Sequence, residues 1–241
     1  MPFTFAHPAI VLPFNKKPQF FSMTALILGS MSPDFEYFLR MKIKSDMSHT
    51  LFGIVYFDLP ITLMVAFIFH SIIRNELIKN LPHFLYKRFA HYLTFNWNQY
   101  CLHHWFIVLT SAVIGILSHI GWDSFTHLTG FVVKHLPFLQ QTISLKNIDI
   151  PIYQLLQHGS TLVGMSLICL FILRLPIMTD KRNTVSFLYW GLVMMIVISS
   201  FSVFFANTIY TFGQNVVNFI DAIFLGLIFA PLIMRIIRRL F

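Results

Sequence analysis

The chain has 241 residues, of which 56% are hydrophobic and only 11% charged, whereas a soluble domain usually carries about 25% charged residues. This composition excludes an ordinary soluble domain and indicates an integral membrane protein. The formal net charge of +8 reflects 17 basic against 9 acidic residues. Because the basic residues are scattered rather than clustered, they suit anionic lipid headgroups and exclude a nucleic-acid-binding stripe.

The N-terminal fifty residues are predicted to enter the membrane without crossing it. Residues 1–21, MPFTFAHPAIVLPFNKKPQFF, place their lysines after the apolar residues. That order is wrong for a cleavable signal peptide, so we expect His7 to be retained. Residues 20–29 are apolar but too short to span a bilayer, and the polar stretch SMSPDFEY follows. They therefore predict a half-buried or re-entrant helix.

Five later stretches approach or meet the roughly 20 apolar residues that a membrane-spanning helix needs. They are residues 51–73, 105–122, 160–178, 185–206 and 216–237. Residues 81–104 mix basic and aromatic side chains, which is typical of a helix lying in the interface. Residues 128–157 form a longer connection in which a helix restarts at Pro151.

The predicted fold class is all-α, a polytopic integral membrane protein with about five transmembrane helices plus interfacial or re-entrant helices. We expect a single membrane domain of residues 1–241, with an N-terminal segment of residues 1–50 and a bundle of residues 51–241. Counting five spans places the start of the first, the end of the second and the start of the third on one side. The excess of Lys and Arg on the other side predicts that the C-terminus is cytoplasmic.

The second predicted span ends in SHIGWDSFTH, in which His119, Asp123 and His127 recur every four residues. Residues four apart lie on one face of a helix, so His119 and Asp123 can bind one ion together. His127 can follow on a second turn if the helix continues. Imidazole and carboxylate ligands suit zinc, and also manganese or iron. A buried histidine bonded to the aspartate four residues later is the alternative interpretation.

Four other motifs carry ligand-type residues to the same predicted interface. They are FAHPA with His7, GSMSPDFEY with Asp34, DMSHTLFG with His49 and LLQHGSTLVG with His158. A carboxylate at mid-bilayer costs about 2.5 to 3.5 kcal/mol, and less near the surface, so such polar groups need partners. A divalent ion would neutralise two carboxylates at once.

These motifs give the chain a resemblance to known families. The whole chain, most clearly MPFTFAHPA, LGSMSPDFEYF, SHTLFG, SHIGWDSFTH and PIYQLLQHGSTLVG, resembles the bacterial membrane family known as domain of unknown function 4184, a name that implies no activity. More distantly, the order of the histidines and aspartates is similar to that of zinc-dependent phospholipase C, and of membrane-bound metal-dependent hydrolases with PD, SH and HxxxD motifs. In the phospholipases, such residues hold zinc ions that bind phosphate and activate water.

This resemblance implies a ligand set for one or two divalent ions. Candidates for one ion are Asp34, His49, His119 and Asp123; candidates for another are His127 and His158; His7 is the candidate for a further position. The likeness departs at two points. Leu162 stands where the phospholipases have a carboxylate four residues after their last histidine, and their ligating N-terminal tryptophan is absent. We therefore expect one or two ions, most simply zinc, rather than three.

The function expected from this resemblance is hydrolysis of a lipid-associated phosphoester, by a bacterial inner-membrane protein whose site lies on the extracytoplasmic side. Asp34 is the predicted general base, with a bridging-ligand role as its alternative. Two other classes stay open. One is a transporter or ion-handling protein that uses Asp58 and Asp221, since acids in spans are functional by default. The other is a non-catalytic scaffold that keeps a metal site for stability.

Overall fold

The computed structural model describes residues 3–145, 148–178, 184–206 and 211–240. In this part of the chain, five helices are long and apolar enough to cross a membrane. They are Leu51–Lys79, Trp105–His135, Ile152–Leu173, Phe187–Ala206 and Phe212–Leu240. Each overlaps one predicted span, which confirms the all-α polytopic fold and a protein of the membrane.

The third spanning helix begins eight residues before its predicted start. It begins at Ile152, with Pro151 as its N-cap, whereas the hydropathy pattern placed the span at residues 160–178. The stretch from Gln154 to His158 is polar enough to lower the hydropathy but remains helical. The helix restart predicted at Pro151 is therefore the better guide to where this helix begins.

The first spanning helix, Leu51–Lys79, is not a regular α-helix. It contains two π-helical segments, Ile54–Asp58 and Phe69–Ile73, between α-helical segments Leu51–Gly53, Leu59–Ile68 and Arg74–Lys79. Asp58 ends the first π segment and is fully buried. Single π turns inside α-helices often mark functional sites, so the region around Asp58 is a second candidate functional region.

Shorter elements fill the N-terminal segment and the connections. The α-helices are Met23–Gly29, Phe35–Arg40, His83–Phe89 and Trp97–His103, and the second span has its α-helical parts at Trp105–Thr126 and Phe131–His135. The 3₁₀ helices are Thr4–Ile10, Leu12–Lys16, Ser32–Asp34, Ala90–Thr94 and Pro137–Gln140. The predicted interfacial stretch at residues 81–104 is thus three short helices rather than one.

The connection after the second span contains a small antiparallel sheet that we did not predict. Strand Thr142–Leu145 pairs with strand Ile148–Pro151, and Thr142 lies opposite Pro151. Both four-residue strands alternate polar and apolar residues. That alternation is the period-2 signal of a strand, but it is too short here to stand out from a mixed loop.

Contacts within the chain cluster into two compact units. The first contains Met1–Asp34, Met47–Leu63 and His104–Arg174, and the second contains Phe35–Asp46, Met64–His103 and Leu175–Phe241. The expectation of one membrane domain stays a prediction. The residues with ligand chemistry named above lie in the first unit, apart from Asp221.

In the first unit, helix Met23–Gly29 packs so closely against helix Trp105–Thr126 that their backbones leave no room for a side chain at two glycines. A Cβ atom on Gly115 would come within 3.0 Å of the Leu26 carbonyl oxygen, and one on Gly29 would come as close to the Ala112 carbonyl oxygen. Glycine is needed at both positions because it has no side chain to clash. This close approach brings the chain after Gly29, which leads to Asp34, against the helix that carries His119.

In the second unit, helix Phe187–Ala206 packs along helix Phe212–Leu240 through a buried cluster that includes Val193, Val197 and Ala222. This unit also buries two glutamates. Glu36 accepts hydrogen bonds from Arg40 Nε at 2.8 Å, the Asp46 backbone N–H and the Ser45 hydroxyl.

The second of these glutamates, Glu76, is paired with an arginine from the last helix. Arg238 donates through both of its terminal nitrogens, at 2.8 and 2.9 Å to the two carboxylate oxygens of Glu76. Such a bidentate pair satisfies both oxygens in a fixed geometry. The two buried glutamates of this unit therefore each have an arginine partner.

Candidate metal centre

Four residues of the first unit bring ligand atoms together. Asp34, His49, His119 and Asp123 each offer one such atom, and the four atoms lie within 4.8 Å of one another. His119 Nε2 is 3.3 Å from Asp123 Oδ2 and 3.6 Å from Asp34 Oδ1. His49 Nε2 is 3.5 and 3.9 Å from the same two oxygens. Tetrahedral ligands of zinc lie about 3.3 Å apart, so the closest pair already has this spacing and the other atoms would have to move closer together to surround one ion.

The local structure explains how each residue reaches this point. His119 and Asp123 lie one turn apart on the second spanning helix, and Asp34 ends the 3₁₀ turn Ser32–Asp34. His49 precedes the first spanning helix and has a φ of 66°, a left-handed conformation that is uncommon outside glycine although histidine tolerates it better than most residues. An unfavourable backbone angle at a cluster of ligand-type side chains supports a functional role.

A backbone hydrogen bond orients the ring of His119. Its Nδ1 lies 2.8 Å from the carbonyl oxygen of Ser30. Because a carbonyl can only accept, Nδ1 carries a proton, so in the neutral form of the ring Nε2 is the lone-pair nitrogen directed at the group. Histidine ligands of metals are usually held in this way by a partner on the second nitrogen.

The two carboxylates divide their oxygens between different partners. Asp34 Oδ2 accepts a hydrogen bond of 2.6 Å from the Thr4 hydroxyl, while Oδ1 faces the two histidines. Asp123 directs Oδ2 at the same histidines, and its Oδ1 lies 3.6 Å from both His7 Nε2 and His127 Nδ1. Asp123 therefore belongs to the group of four and also contacts a second pair of histidines, His7 and His127.

Several atoms that face this centre have unmade hydrogen bonds. Among the described residues, none gives a hydrogen-bond partner to His7 Nε2, His119 Nε2, Asp34 Oδ1 or Asp123 Oδ1, all of which are buried. Buried polar atoms are nearly always bonded, and leaving one unbonded costs about 1–3 kcal/mol. Distances of 3.3 to 3.9 Å are too long for good hydrogen bonds but suit atoms that share a cation. The residues present therefore fit a divalent ion.

His7 lies beside the group of four. Its ring stacks on that of His119, with centroids 3.8 Å apart and an interplanar angle of 19°. Burial lowers the pKa of His7 to about 3, and the neighbouring His119 adds to the lowering. His7 is therefore neutral at neutral pH and has a lone pair available for a ligand.

The Asp34 carboxyl is ionised despite complete burial. Burial acts to raise its pKa, but the interactions with His119 and then His7 outweigh this effect and hold the pKa below its ordinary value. The centre thus contains a buried carboxylate anion, which needs positive charge close by.

The remaining predicted ligands differ in their positions. His127 contacts Asp123, and it follows the last residue of the α-helical part Trp105–Thr126, so the second helical turn that would have aligned it further does not form. His158 is exposed on the third spanning helix and lies outside the group of four formed by described residues. Its role as a ligand stays a prediction.

Two contributors were not predicted from the sequence. The Ser30 carbonyl is a backbone group, so no residue type signals it. The Thr4 hydroxyl belongs to a segment, TFAHPA, that we noted only for His7. The only sequence signal for this hydrogen bond is the position of Thr4, three residues before the ligand-type His7.

Comparison with known proteins gives a family. A family profile described as "Domain of unknown function (DUF4184)" matches residues 1–232. No curated protein matches the chain, and no solved structure matches it. The more distant likeness to zinc-dependent phospholipase C stays a prediction. Because the profile covers nearly the whole sequence, the chain belongs to the DUF4184 family of membrane proteins.

Proposed function

We propose that this protein is a metal-dependent hydrolase that acts on a lipid-linked phosphoester at the membrane interface. The observation that carries the proposal is the buried group of two carboxylates and two histidines whose facing atoms have unmade hydrogen bonds. Hydrolysis adds water across a P–O bond, and the products are an alcohol and a phosphate monoester. The membrane supplies such substrates directly.

Asp34, His49, His119 and Asp123 would hold one ion, most simply zinc, with manganese or iron as alternatives. His7 and His127 lie on the other oxygen of Asp123, which supports Asp123 as a bridge if a second ion is bound. When bound, a divalent ion supplies Lewis acidity to a phosphoryl oxygen and lowers the pKa of a bound water to about 7.

The geometry supports a ligand role for Asp34 over the general-base role expected from the sequence. Its Oδ2 is used by Thr4, its Oδ1 faces two histidines, and the carboxylate is fully buried. A base must reach the attacking water. The side chains of His49 and His127 are each 25% exposed, so they mark the open side of the centre from which a phosphoester would approach.

We assign the protein to the bacterial inner membrane, with the centre on the extracytoplasmic side. The support is the family resemblance together with the distribution of Lys and Arg, which favours a cytoplasmic C-terminus. Membrane lipids are then the partners and the source of the substrate.

The test combines metal content with turnover. The purified protein in mixed micelles of phosphatidylcholine and phosphatidylglycerol should contain about one or two equivalents of metal and release diacylglycerol or a headgroup alcohol. Asp123→Asn should lose both properties. Glu76→Gln, a change of a buried carboxylate in the second unit, should retain both. Turnover that persists in metal-free Asp123→Asn would refute the proposal, and bound metal without turnover of either lipid would favour a scaffold with a structural ion.

A second candidate function is ion handling, and the observation that favours it is Asp58. This acid is fully buried within the first spanning helix, at the end of a π-helical segment. If the protein conducts ions, Asp58→Asn should abolish flux in liposomes while metal content stays normal. A hydrolase requires instead that Asp58→Asn retain lipid turnover.

A further inference from the structure

An apolar groove of about 380 Å³ runs along the third spanning helix. One wall is the 3₁₀ helix Thr4–Ile10, and the other is the first two thirds of helix Ile152–Leu173. Its lining includes Ile10, Leu155 and Leu167. A volume of this size is within the range of about 300–1,000 Å³ typical of sites for small molecules.

Two glycines of the third spanning helix shape this groove in opposite ways. A Cβ atom on Gly164 would lie 2.9 Å from the Ala6 carbonyl oxygen, so the N-terminal segment sits directly on the helix there. A Cβ atom on Gly159, which also lines the groove, would have no described atom within 4 Å. Gly164 therefore fixes the wall in place, and the absence of a side chain at Gly159 keeps the groove open.

The groove leads to the candidate metal centre. His7 is part of its lining, and the same imidazole has its Nε2 3.6 Å from Asp123 Oδ1 and stacks on His119. Trp122, the neighbour of Asp123 in the chain, also lines it. A molecule lying in the groove would thus be in contact with His7, which borders the centre.

The surroundings of the groove select an apolar occupant. The groove lies on a helix that is apolar and long enough to span the bilayer, and its lining residues Val163 and Leu167 are 59% and 48% exposed. In a membrane, such side chains contact lipid rather than water. A hydrocarbon chain can therefore enter sideways from the bilayer without leaving an apolar environment.

We propose that this groove binds the hydrocarbon chain of a lipid, and that it holds the phosphoester of that lipid beside His7. The identity of the headgroup reaction rests on the proposed function, whereas binding of the chain does not. The groove determines which substrates are accepted, because a long chain gains contacts that a short water-soluble analogue cannot make.

Labelling with a photoactivatable phosphatidylcholine tests the binding directly. The probe carries a diazirine in its acyl chain, and the full-length protein is labelled in lipid nanodiscs and mapped by peptide mass spectrometry. We expect labelling of Thr4–Ile10, the largely buried wall of the groove, above that of the spanning helix Phe187–Ala206. Gly159→Leu should reduce the groove labelling several-fold because the added side chain fills the open space. A Cβ atom on Gly191 would likewise have no described atom within 4 Å, so Gly191→Leu is the matched control and should leave the groove labelling unchanged.

Separate readouts distinguish failure of this inference from failure of the proposed function. Labelling requires no hydrolysis, so groove labelling without any turnover would overturn the hydrolase and retain the groove. Equal labelling of wild type and Gly159→Leu, both verified as folded by thermal unfolding, would overturn the groove even if lipids are cleaved. Leu167→Trp fills the groove from a second position and should reproduce the loss. Labelling that does not exceed that of Phe187–Ala206 would show contact with bulk lipid only.

Discussion

Two pairs of buried carboxylates, Glu36 and Glu76 in the second compact unit and Asp34 and Asp123 in the first, have different surroundings. In the second unit, Glu36 and Glu76 each have an arginine partner at 2.8 Å, and the pair between Glu76 and Arg238 is bidentate. In the first unit, Asp34 and Asp123 face histidine nitrogens at 3.3 to 3.9 Å, and these contacts are too long for good hydrogen bonds.

The contrast lies in how the negative charge is met. For Glu36 and Glu76, the fold supplies an arginine side chain within hydrogen-bond distance. At the candidate centre, the carboxylates of Asp34 and Asp123 instead face two imidazoles at 3.3 to 3.9 Å, an arrangement that could hold a divalent cation. The pattern of unmade bonds is therefore stronger evidence for a metal than the residue types alone.

The largest expected effect is the loss of metal binding when a residue of the candidate centre is replaced. His119→Ala should weaken metal binding by more than about 100-fold, since loss of partners outside the coordination sphere already costs about 10–100-fold. Elemental analysis of protein dialysed against a metal buffer measures this. Arg238→Ala should lose the Glu76 pair but keep its metal, and equal loss in both variants would indicate general unfolding.

Removing the ion should have the next largest effect. A ligand at 100 times its dissociation constant stabilises the folded state by about 2.7 kcal/mol, so a chelator should lower the unfolding temperature by several degrees. Differential scanning fluorimetry in detergent measures the shift. Asp123→Asn should unfold at the same temperature with and without chelator. A chelator shift that persists in this variant would place the stabilising ion elsewhere.

A change in the helix packing behind the centre should have a smaller effect. Gly115→Ala places a Cβ atom against the Leu26 carbonyl, and overpacking of this kind costs about 1–3 kcal/mol. The displaced segment also carries Ser30, which orients His119, so metal affinity should fall about tenfold. Isothermal titration calorimetry with zinc measures this affinity. Gly121→Ala on the same helix meets no described atom within 4 Å and should bind zinc as the wild type does.

The smallest expected effect concerns the hydrogen bond from Thr4 to Asp34. Thr4→Val removes the hydroxyl with little change of shape, leaves Asp34 Oδ2 unbonded and should weaken zinc binding by about tenfold or less. Competition with a chromogenic chelator resolves such a change. Thr110→Val loses only hydrogen bonds to the backbone carbonyls of Phe106 and Ile107 within the second spanning helix. An equal loss of zinc affinity in this variant would show that the Thr4 hydroxyl has no specific role.

The sequence was sufficient to predict the spanning helices and much of the centre. Apolar length is a strong signal for spans, and four-residue spacing on a helix places His119 and Asp123 on one face. Counting spans predicted that His49 would be near them, and the structure places it within 3.5 Å of Asp123. These features depend on residue type and helical period, which a sequence states directly.

Other features depend on backbone geometry and could not be predicted in this way. The Ser30 carbonyl, the π-helical turns and the left-handed angle of His49 have no residue signature. His158 lies on the helix that begins at Ile152, in agreement with the restart predicted at Pro151. Its side chain is exposed, and the side on which a residue of this helix packs depends on tertiary contacts that the sequence does not state.

The positions of the four ligand-type residues along the chain have a consequence for biogenesis. Asp34 and His49 are synthesised before the first spanning helix, whereas His119 and Asp123 belong to the second. A nascent chain that has inserted only its first span therefore carries two of the four ligand-type residues. An ion held by all four could bind only after insertion of the second span, so its acquisition would report that the first 123 residues have reached their assembled state.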